Sequence, residues 1–396
     1  MKLRALPISA TLLGMILVLA TPAGAHDPGA YGGLFRSRDA GVTWFSANPG
    51  RIVSGAIALA VSPLEPAHLL LATDSGLLRS RNAGLDWSLE APSLLVGAVF
   101  AVAFDADGRR TLASTGSALY RSDDAGPWQA LTAPPDTLPA RLLVPDRPGR
   151  VYLVGWQRLY VSEDWGTSWN AVAAPLPGTP VTRLLVARGA ATVYAIAGER
   201  LWAMDEGTRT WRPNDAGLPH GSIDAVAADA GEPRRLWAAA RGQVFRSDDG
   251  GASWTPWGRP IDEPSVAVRG VALSLSAREA VLTTDRGLYR SGDGGQRWEA
   301  LGDNVPAHLE AWPLVRDPGD PATLYAGFAL IPYPELWRLA AERTSSLARV
   351  GPMGAAGSLA LLLLVGLVAA IALRGLRRYD RGRRARPAGP SPQSHQ

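Results

Sequence analysis

A short motif ending in tryptophan recurs seven times along this chain of 396 residues. Five copies share the pattern Ser-x-Asp/Asn-x-Gly-x-x-Trp, at 37–44, 80–87, 162–169, 247–254 and 291–298, and two weaker copies lie at 122–128 and 204–211. The repeat tryptophans are separated by 43, 41, 41, 42, 43 and 44 residues. A period in the low forties is typical of β-propellers, in which each repeat forms a blade of four antiparallel strands. The chain is therefore predicted to be an all-β protein, a seven-bladed β-propeller.

The rest of each period has the pattern of four strands separated by turns. In the second repeat these strands are predicted at 55–61, 68–73, 77–80 and 86–90. The chain begins with a third strand, and two strands are predicted after the last motif, at 311–315 and 323–328. The C-terminal strands should complete the blade that the N-terminus begins, because such closure removes free sheet edges. Residues 335–338 also fit the third-strand pattern, and the sequence leaves open whether they add a strand.

The motif resembles the Asp-box of the BNR-type repeat family. That family includes sialidases, sortilin-type receptor ectodomains, certain xyloglucan hydrolases and photosystem II assembly factors of the Ycf48/HCF136 type. The resemblance covers about residues 26–330. It implies a propeller fold in which each box is a hairpin between the third and fourth strands of a blade, and it does not select one function within the family.

The residue types of the box suit a structural role. Asp and Ser oxygens accept hydrogen bonds from nearby backbone N–H groups, Gly permits a positive φ, and Trp packs a large ring between blades. A catalytic site is normally singular, so seven copies indicate scaffold. The predicted structural residues are Asp39, Asn82, Asp124, Asp164, Asp249 and Asp293, with Trp44, Trp87, Trp128, Trp169, Trp211, Trp254 and Trp298.

Five arginines precede the serine of a box, and propeller symmetry should place them on one ring. Two interpretations stay open. They form a cationic ring that binds an acidic partner, or they pair with carboxylates of neighbouring strands. The five residues are Arg36, Arg79, Arg121, Arg246 and Arg290.

The two ends of the chain predict its compartment. Residues 1–25 have the basic start, apolar stretch and Ala-Gly-Ala end of a cleavable signal peptide. Residues 353–373 form an uncharged run long enough for one transmembrane helix, and arginines follow it at once. These features predict a propeller domain at 26–340 on the periplasmic or extracellular side of a cytoplasmic membrane. A linker at 341–352 and a basic cytoplasmic tail at 374–396 complete the predicted organisation.

Composition excludes several kinds of chemistry. The chain has no cysteine, which rules out disulfides, thiolate metal sites and cysteine nucleophiles. Its net charge of +4 comes from the two ends, because the segment 26–349 has 31 basic and 35 acidic residues. We therefore expect no nucleic-acid binding. The histidines have no metal-ligand spacing, although His26 would become an N-terminus able to chelate Cu(II) after signal cleavage.

A catalytic site is not predicted. Sialidases of the resembling family use an arginine triad whose first member lies in an Arg-Ile-Pro motif ahead of the first box. Here Arg51-Ile52-Val53 follows the first box and lacks the proline. We expect a non-enzymatic module that binds another membrane or periplasmic protein or assembles a complex, without a cofactor, and the oligomeric state stays open. The alternative is a glycoside hydrolase of the Asp-box type, sialidase-like or xyloglucanase-like.

Overall fold

The computed structural model describes residues 32–155, 158–187, 191–221, 223–229, 231–232, 234–339 and 342. In these ranges the chain forms seven four-stranded antiparallel sheets, which confirms the predicted seven-bladed propeller. The predicted signal peptide, transmembrane helix and basic tail lie outside the described residues. Within those residues, no helix is both long and apolar enough to cross a membrane.

Blade 1 is shared by the two ends of the described chain. It contains β1 (Gly33–Ser37) and β2 (Phe45–Ser46) from the beginning, and β27 (Glu310–Arg316) and β28 (Leu324–Ala329) from the end. The strand order is β2-β1-β28-β27, and Phe35 lies opposite Ala326 where β1 pairs with β28. The predicted closure by the C-terminal strands is thus confirmed. It leaves the ring of blades without an open seam.

The other six blades are each built from four consecutive strands, hydrogen-bonded in chain order. Blades 2 to 4 contain β3 (Ala56–Val61), β4 (Leu69–Thr73), β5 (Gly76–Ser80), β6 (Ser88–Leu89), β7 (Val99–Phe104), β8 (Arg110–Thr115), β9 (Leu119–Asp123), β10 (Gln129–Leu131), β11 (Leu142–Pro145), β12 (Val151–Val154), β13 (Leu159–Ser162) and β14 (Asn170–Val172). Blades 5 to 7 contain β15 (Val181–Val186), β16 (Thr192–Ala197), β17 (Arg200–Asp205), β18 (Thr210–Pro213), β19 (Ile223–Ala228), β20 (Leu236–Ala240), β21 (Gln243–Ser247), β22 (Thr255–Trp257), β23 (Val268–Leu273), β24 (Ala280–Thr284), β25 (Gly287–Ser291) and β26 (Glu299–Leu301).

The first strand of each blade lies innermost and contacts the first strands of both neighbouring blades, so that these strands close a ring. Second strands such as β4 and β20 are buried along their whole length. Apolar side chains of adjacent blades pack together between the sheets, and each such cluster joins two blades. The inner strands all begin at one face of the ring, here the upper face, and end at the other, the lower face.

A short helix, α1 (333–339), follows the last strand. The residues at 335–338 therefore do not form the extra strand that their pattern allowed, and that alternative is wrong. Pro334 fits the first turn of a helix, where its missing N–H costs nothing. Leu336 is buried, and Tyr333 is buried beneath the helix and donates its hydroxyl to the carbonyl of Ala56 at 2.7 Å. This packing fixes α1 on the upper face.

A polar pocket at the upper mouth of the propeller channel

The box of blade 6 illustrates the geometry of the repeat. Ser247 Oγ donates to Asp249 Oδ1 at 2.7 Å and accepts from the N–H of Gly251 at 2.7 Å. Asp249 Oδ1 and Oδ2 accept from the backbone N–H and the hydroxyl of Ser253, at 3.0 and 2.6 Å. These bonds, the one from the Ser253 hydroxyl foremost, lower the pKa of Asp249 to about 2. The carboxylate thus closes a turn at the lower, outer edge of the blade.

In four other boxes the serine hydroxyl also donates a hydrogen bond to the side-chain oxygen of the Asp or Asn two residues later. The bonds are 2.8 Å from Ser37 to Asp39, 3.0 Å from Ser80 to Asn82, 2.8 Å from Ser162 to Asp164 and 2.8 Å from Ser291 to Asp293. The shortened box differs, because Ser122 donates to the carbonyl of Gly126, and Asp124 takes a positive φ of 49° with its side chain exposed.

The box tryptophans connect neighbouring blades. Trp87 Nε1 donates to the carbonyl of Ala47, Trp254 to that of Asn214 and Trp298 to that of Arg259, at 2.7, 2.9 and 2.9 Å. Trp211 makes the same bond to Ala173 at 2.6 Å, Trp128 donates instead to the carboxylate of Glu90, and Trp44 donates to Gly41 of its own turn. Trp169 packs against the core between blades 3 and 4.

The five arginines before the box serines are all engaged by the protein itself. Arg79 forms an ion pair with Glu90 at 2.8 Å and is 6% exposed. Arg121, Arg246 and Arg290 pair with Asp123, Asp248 and Glu279, at 3.1, 2.8 and 3.6 Å, and Arg36 donates to the carbonyl of Ala83. These arginines therefore have protein partners for their charge or their donors, and they leave no unpaired cationic ring for an acidic partner among the described residues.

The candidate binding site lies at the upper end of the channel, where six of the seven inner strands carry a β-bulge near their first residue. The residue left out of register projects at the mouth, and its type varies around the ring. The bulged residues are Ile57, Phe100, Thr182, Asp224, Arg269 and the pair Trp312–Pro313.

Helix α1 divides this mouth into two halves. It packs on the apolar members, since Ile57, Phe100 and Leu336 share one buried cluster and the ring of Trp337 lies 4.7 Å from that of Phe100. The polar half, formed by blades 4 to 7 and the β27 end of blade 1, stays open as a cavity of about 460 Å³. Its charged side chains are Arg141, Arg183, Asp224, Arg269 and Glu310, and Thr182 lies among them.

Arg183 is a cation of this pocket that forms no ion pair among the described residues. Its guanidinium carbon lies 3.9 Å from the centroid of the Trp312 ring, and its Nη1 donates to the carbonyl of Thr182 at 2.9 Å. Its Nε has no hydrogen-bond partner. No carboxylate of the described residues forms a salt bridge with it. Burial, followed by the positive charge of Arg269, lowers the pKa of Arg183 to about 10, so it remains charged at neutral pH.

The two carboxylates of the pocket are in different states. Glu310 is buried, pairs with Arg269 at 2.8 Å and accepts from the N–H of Tyr333 at 2.6 Å. Burial raises the pKa of Asp224 to about 6, although Arg269 and Arg183 oppose that rise. With three arginines facing two carboxylates, the pocket carries about one net positive charge at neutral pH. This net positive charge increases further as Asp224 takes up a proton.

None of these pocket residues was predicted from the sequence. Three of them, Thr182, Asp224 and Arg269, share one repeat position, the second residue of the first strand, where repeats 2 and 3 have Ile57 and Phe100. That change along an otherwise apolar position is the signal that would have identified them. The box motif lies at the opposite, lower face of the blades and so does not indicate this pocket.

Comparison with known proteins gives the fold and leaves the function open. The model of a family described as the DUF6242 beta propeller domain matches residues 87–232, which is less than half of the chain. No curated protein sequence gives a significant match.

Solved structures with a similar fold include a xyloglucanase and two YCF48 proteins. The GH74 xyloglucanase of Xanthomonas campestris has a TM-score of 0.56 and 21% identity over 72% of this chain, which spans only 55% of the enzyme. YCF48 bound to a D1 peptide has a TM-score of 0.54 and 18% identity, covering 72% of this chain and 95% of that protein. YCF48 from Cyanidioschyzon merolae has a TM-score of 0.53 and 17% identity, covering 72% and 97%. At these identities the similarity shows the fold alone.

Proposed function

We propose that this protein is a membrane-anchored, extracytoplasmic module that binds a partner protein, or holds it during assembly of a complex, at the open half of its upper channel mouth. The partner would insert a segment carrying a carboxylate into the pocket. The observation that carries this proposal is Arg183, a guanidinium that faces an open cavity without an ion pair and rests on an aromatic ring. Charge-assisted hydrogen bonds from a guanidinium to a carboxylate are among the stronger ones available to proteins.

Two further observations support a protein partner. The structural match to YCF48 bound to a D1 peptide covers 95% of that protein. In that case a whole propeller of this fold binds a peptide. The uncharged run at 353–373 would also confine the propeller to the plane of a membrane, which raises its effective concentration for other membrane proteins.

The experiment is affinity capture of the full-length chain from gently solubilised membranes, with mass spectrometry of what is retained. The test variant is Arg183→Met, in which the methionine stem can still cover Trp312 while the charge is lost. The matched control is Arg278→Met, which removes an exposed arginine from the lower face. We expect one dominant membrane or periplasmic protein with the wild type and the control, and its loss with Arg183→Met. Equal capture by all three chains would refute the pocket as the binding site.

Glycoside hydrolysis is the second candidate, favoured by the raised pKa of Asp224 and by the fold shared with a xyloglucanase. Such enzymes need two carboxyl groups on either side of the bond to be cleaved, one acid and one nucleophile or base. Here the second carboxylate, Glu310, is occupied by Arg269 and by a backbone N–H. Release of reducing sugar from xyloglucan by the wild type, abolished in Asp224→Asn, would establish this function in place of the first.

A further inference from the structure

A group of large apolar side chains is exposed along one sector of the upper face. They lie on the loops that follow β2 and β6, at the end of β6 and after β28, and their exposed fractions run from 37% to 84%. We call this group the apolar rim; it consists of Ile52, Leu89, Leu94, Val96, Leu330 and Ile331.

The loops of the rim are neighbours in space, and helix α1 lies among them. Leu330 donates its N–H to the carbonyl of Ser54 at 2.9 Å, which joins the end of β28 to the loop carrying Ile52. Ala98, two residues beyond Val96, packs in the same buried cluster as Leu336 of α1. The rim residues therefore lie on neighbouring loops beside the covered half of the channel mouth.

The rim also lacks free negative charge. Its loops contain one carboxylate, Glu90, which is tied to Arg79, and one exposed cation, Arg51. Of the carboxylates beside it, Glu335 of α1 pairs with Arg338, and half-buried Asp74 accepts from Ser54. The upper loops beyond the rim differ, since those after β10 and β22 expose Asp136 and Asp262. A surface of apolar side chains with a basic residue and no free acid matches the interface of a lipid bilayer, where apolar groups enter the headgroup region and cations meet anionic lipids.

We propose that the apolar rim rests on the lipid surface, so that the upper face of the propeller is turned towards the membrane. This inference relies on the membrane anchoring proposed above. From the end of α1 the chain continues for thirteen residues, 340–352, before the uncharged run begins. Thirteen residues span at most about 45 Å even when fully extended, so a membrane-spanning run at 353–373 would keep the rim within reach of the bilayer. Large exposed apolar surfaces on soluble domains commonly mark membrane or protein contacts.

The absence of cysteine makes a direct test practical, because single cysteines can be labelled without background. Cysteine would replace Val96 and Ile331 in the rim and, as controls on the lower face that are respectively at least as exposed, Leu64 and Leu275. Each full-length variant would carry an environment-sensitive fluorophore and be reconstituted into phosphatidylcholine–phosphatidylglycerol vesicles, with or without a lipid nitroxide near the headgroup. Circular dichroism would check that each labelled chain is folded.

We expect blue-shifted emission at the rim positions and nitroxide quenching there about twofold or more above that at the controls, because rim side chains would sit in the interface. Equal quenching at rim and control positions would overturn the proposal, as would a chain that fails to insert into vesicles. A blue shift at the rim without quenching would show that protein covers it, for example a second copy, and would also overturn it. These outcomes do not depend on a partner protein. They therefore test the membrane contact of the rim separately from the proposed partner binding at the upper channel mouth.

Discussion

Arg183 and Trp312 meet across the channel, with 3.9 Å between the guanidinium carbon and the centroid of the indole ring. Arg183 comes from β15 of blade 5 and Trp312 from β27 of blade 1, two blades that are not neighbours in the ring. The contact holds a cation in place that has no ion pair of its own. Arg183 contributes positive charge to the open half of the mouth, and the indole ring of Trp312 lines it.

A double-mutant cycle should measure this contact. Trp312→Leu, Arg183→Met and the double variant would be unfolded with urea in detergent. A desolvated cation–π pair is worth about 1–2 kcal/mol, so we expect a coupling energy of that size. If the two single effects simply add to give that of the double variant, the ring and the guanidinium do not stabilise each other.

Asp224 should make stability depend on pH in an unusual direction. Its folded pKa of about 6 lies above its ordinary value of 3.8. Asp224 therefore lowers the free energy of unfolding progressively as the pH rises from about 4 to above 6, because its ionised form is disfavoured in the fold. Asp224→Asn should therefore be more stable than the wild type by about 1–3 kcal/mol at pH 8. At pH 3.5 the difference should nearly vanish, since Asp224 is then protonated in the folded state and mostly protonated in the unfolded state.

Denaturant unfolding at the two pH values checks this expectation. Asp262→Asn, an exposed carboxylate on an upper loop, is the matched control and should change stability little at either pH. A stability gain of Asp224→Asn that is the same at pH 3.5 and pH 8 would show that the carboxyl group does not titrate in this range.

The box carboxylates should contribute to stability through their hydrogen bonds. Asp249→Ala removes the acceptor for the N–H and hydroxyl of Ser253 and for the hydroxyl of Ser247. We expect a loss of about 1–2 kcal/mol in the free energy of unfolding, given that these groups are partly solvated. Partner capture should be unchanged, because the box lies on the lower face. Lost capture at wild-type stability would instead assign Asp249 a binding role.

The architecture was predictable from the sequence because the repeat constrains it strongly. The nearly constant spacing of the seven tryptophans from Trp44 to Trp298 predicted the number of blades. The incomplete repeats at the two ends of the chain predicted that their strands close one shared blade. The segment containing Leu336 and Trp337 was ambiguous, since a short apolar run fits a strand and a helical turn equally well. Its packing against Ala56 and Phe100, which are distant in sequence, determines the helix.

The pocket as a whole could not be predicted, for a related reason. Thr182, Asp224 and Arg269 meet only because the blades close into a ring and the bulge in each of their strands projects that residue at the mouth, and Arg183 directly follows Thr182. Neither the ring closure nor the bulges leave a local motif. The conspicuous arginines before the box serines were found in pairs with carboxylates or backbone, as with Arg79 and Glu90.

That buried pair should be costly to break. Glu90 accepts from Arg79 at 2.8 and 2.9 Å and from Trp128 Nε1 at 2.8 Å, which joins blades 2 and 3. Glu90→Gln would leave the Arg79 charge buried without a counter-ion, and we expect a loss of about 3 kcal/mol. Glu299→Gln, which removes the partner of exposed Arg297, should cost at most about 1 kcal/mol. Urea unfolding compares the two, and equal losses would contradict the stabilising role of the buried pair.

Site-specific photo-cross-linking in the native membrane tests the proposed binding site most directly. Benzoylphenylalanine would replace Thr182 at the upper mouth and, as the control, Val61 at the lower end of the channel. We predict one defined adduct with a second protein from position 182, lost when Arg183→Met is added, and none from position 61. An adduct from position 61 alone, or one from position 182 that survives Arg183→Met, would contradict binding through the arginine of the upper mouth.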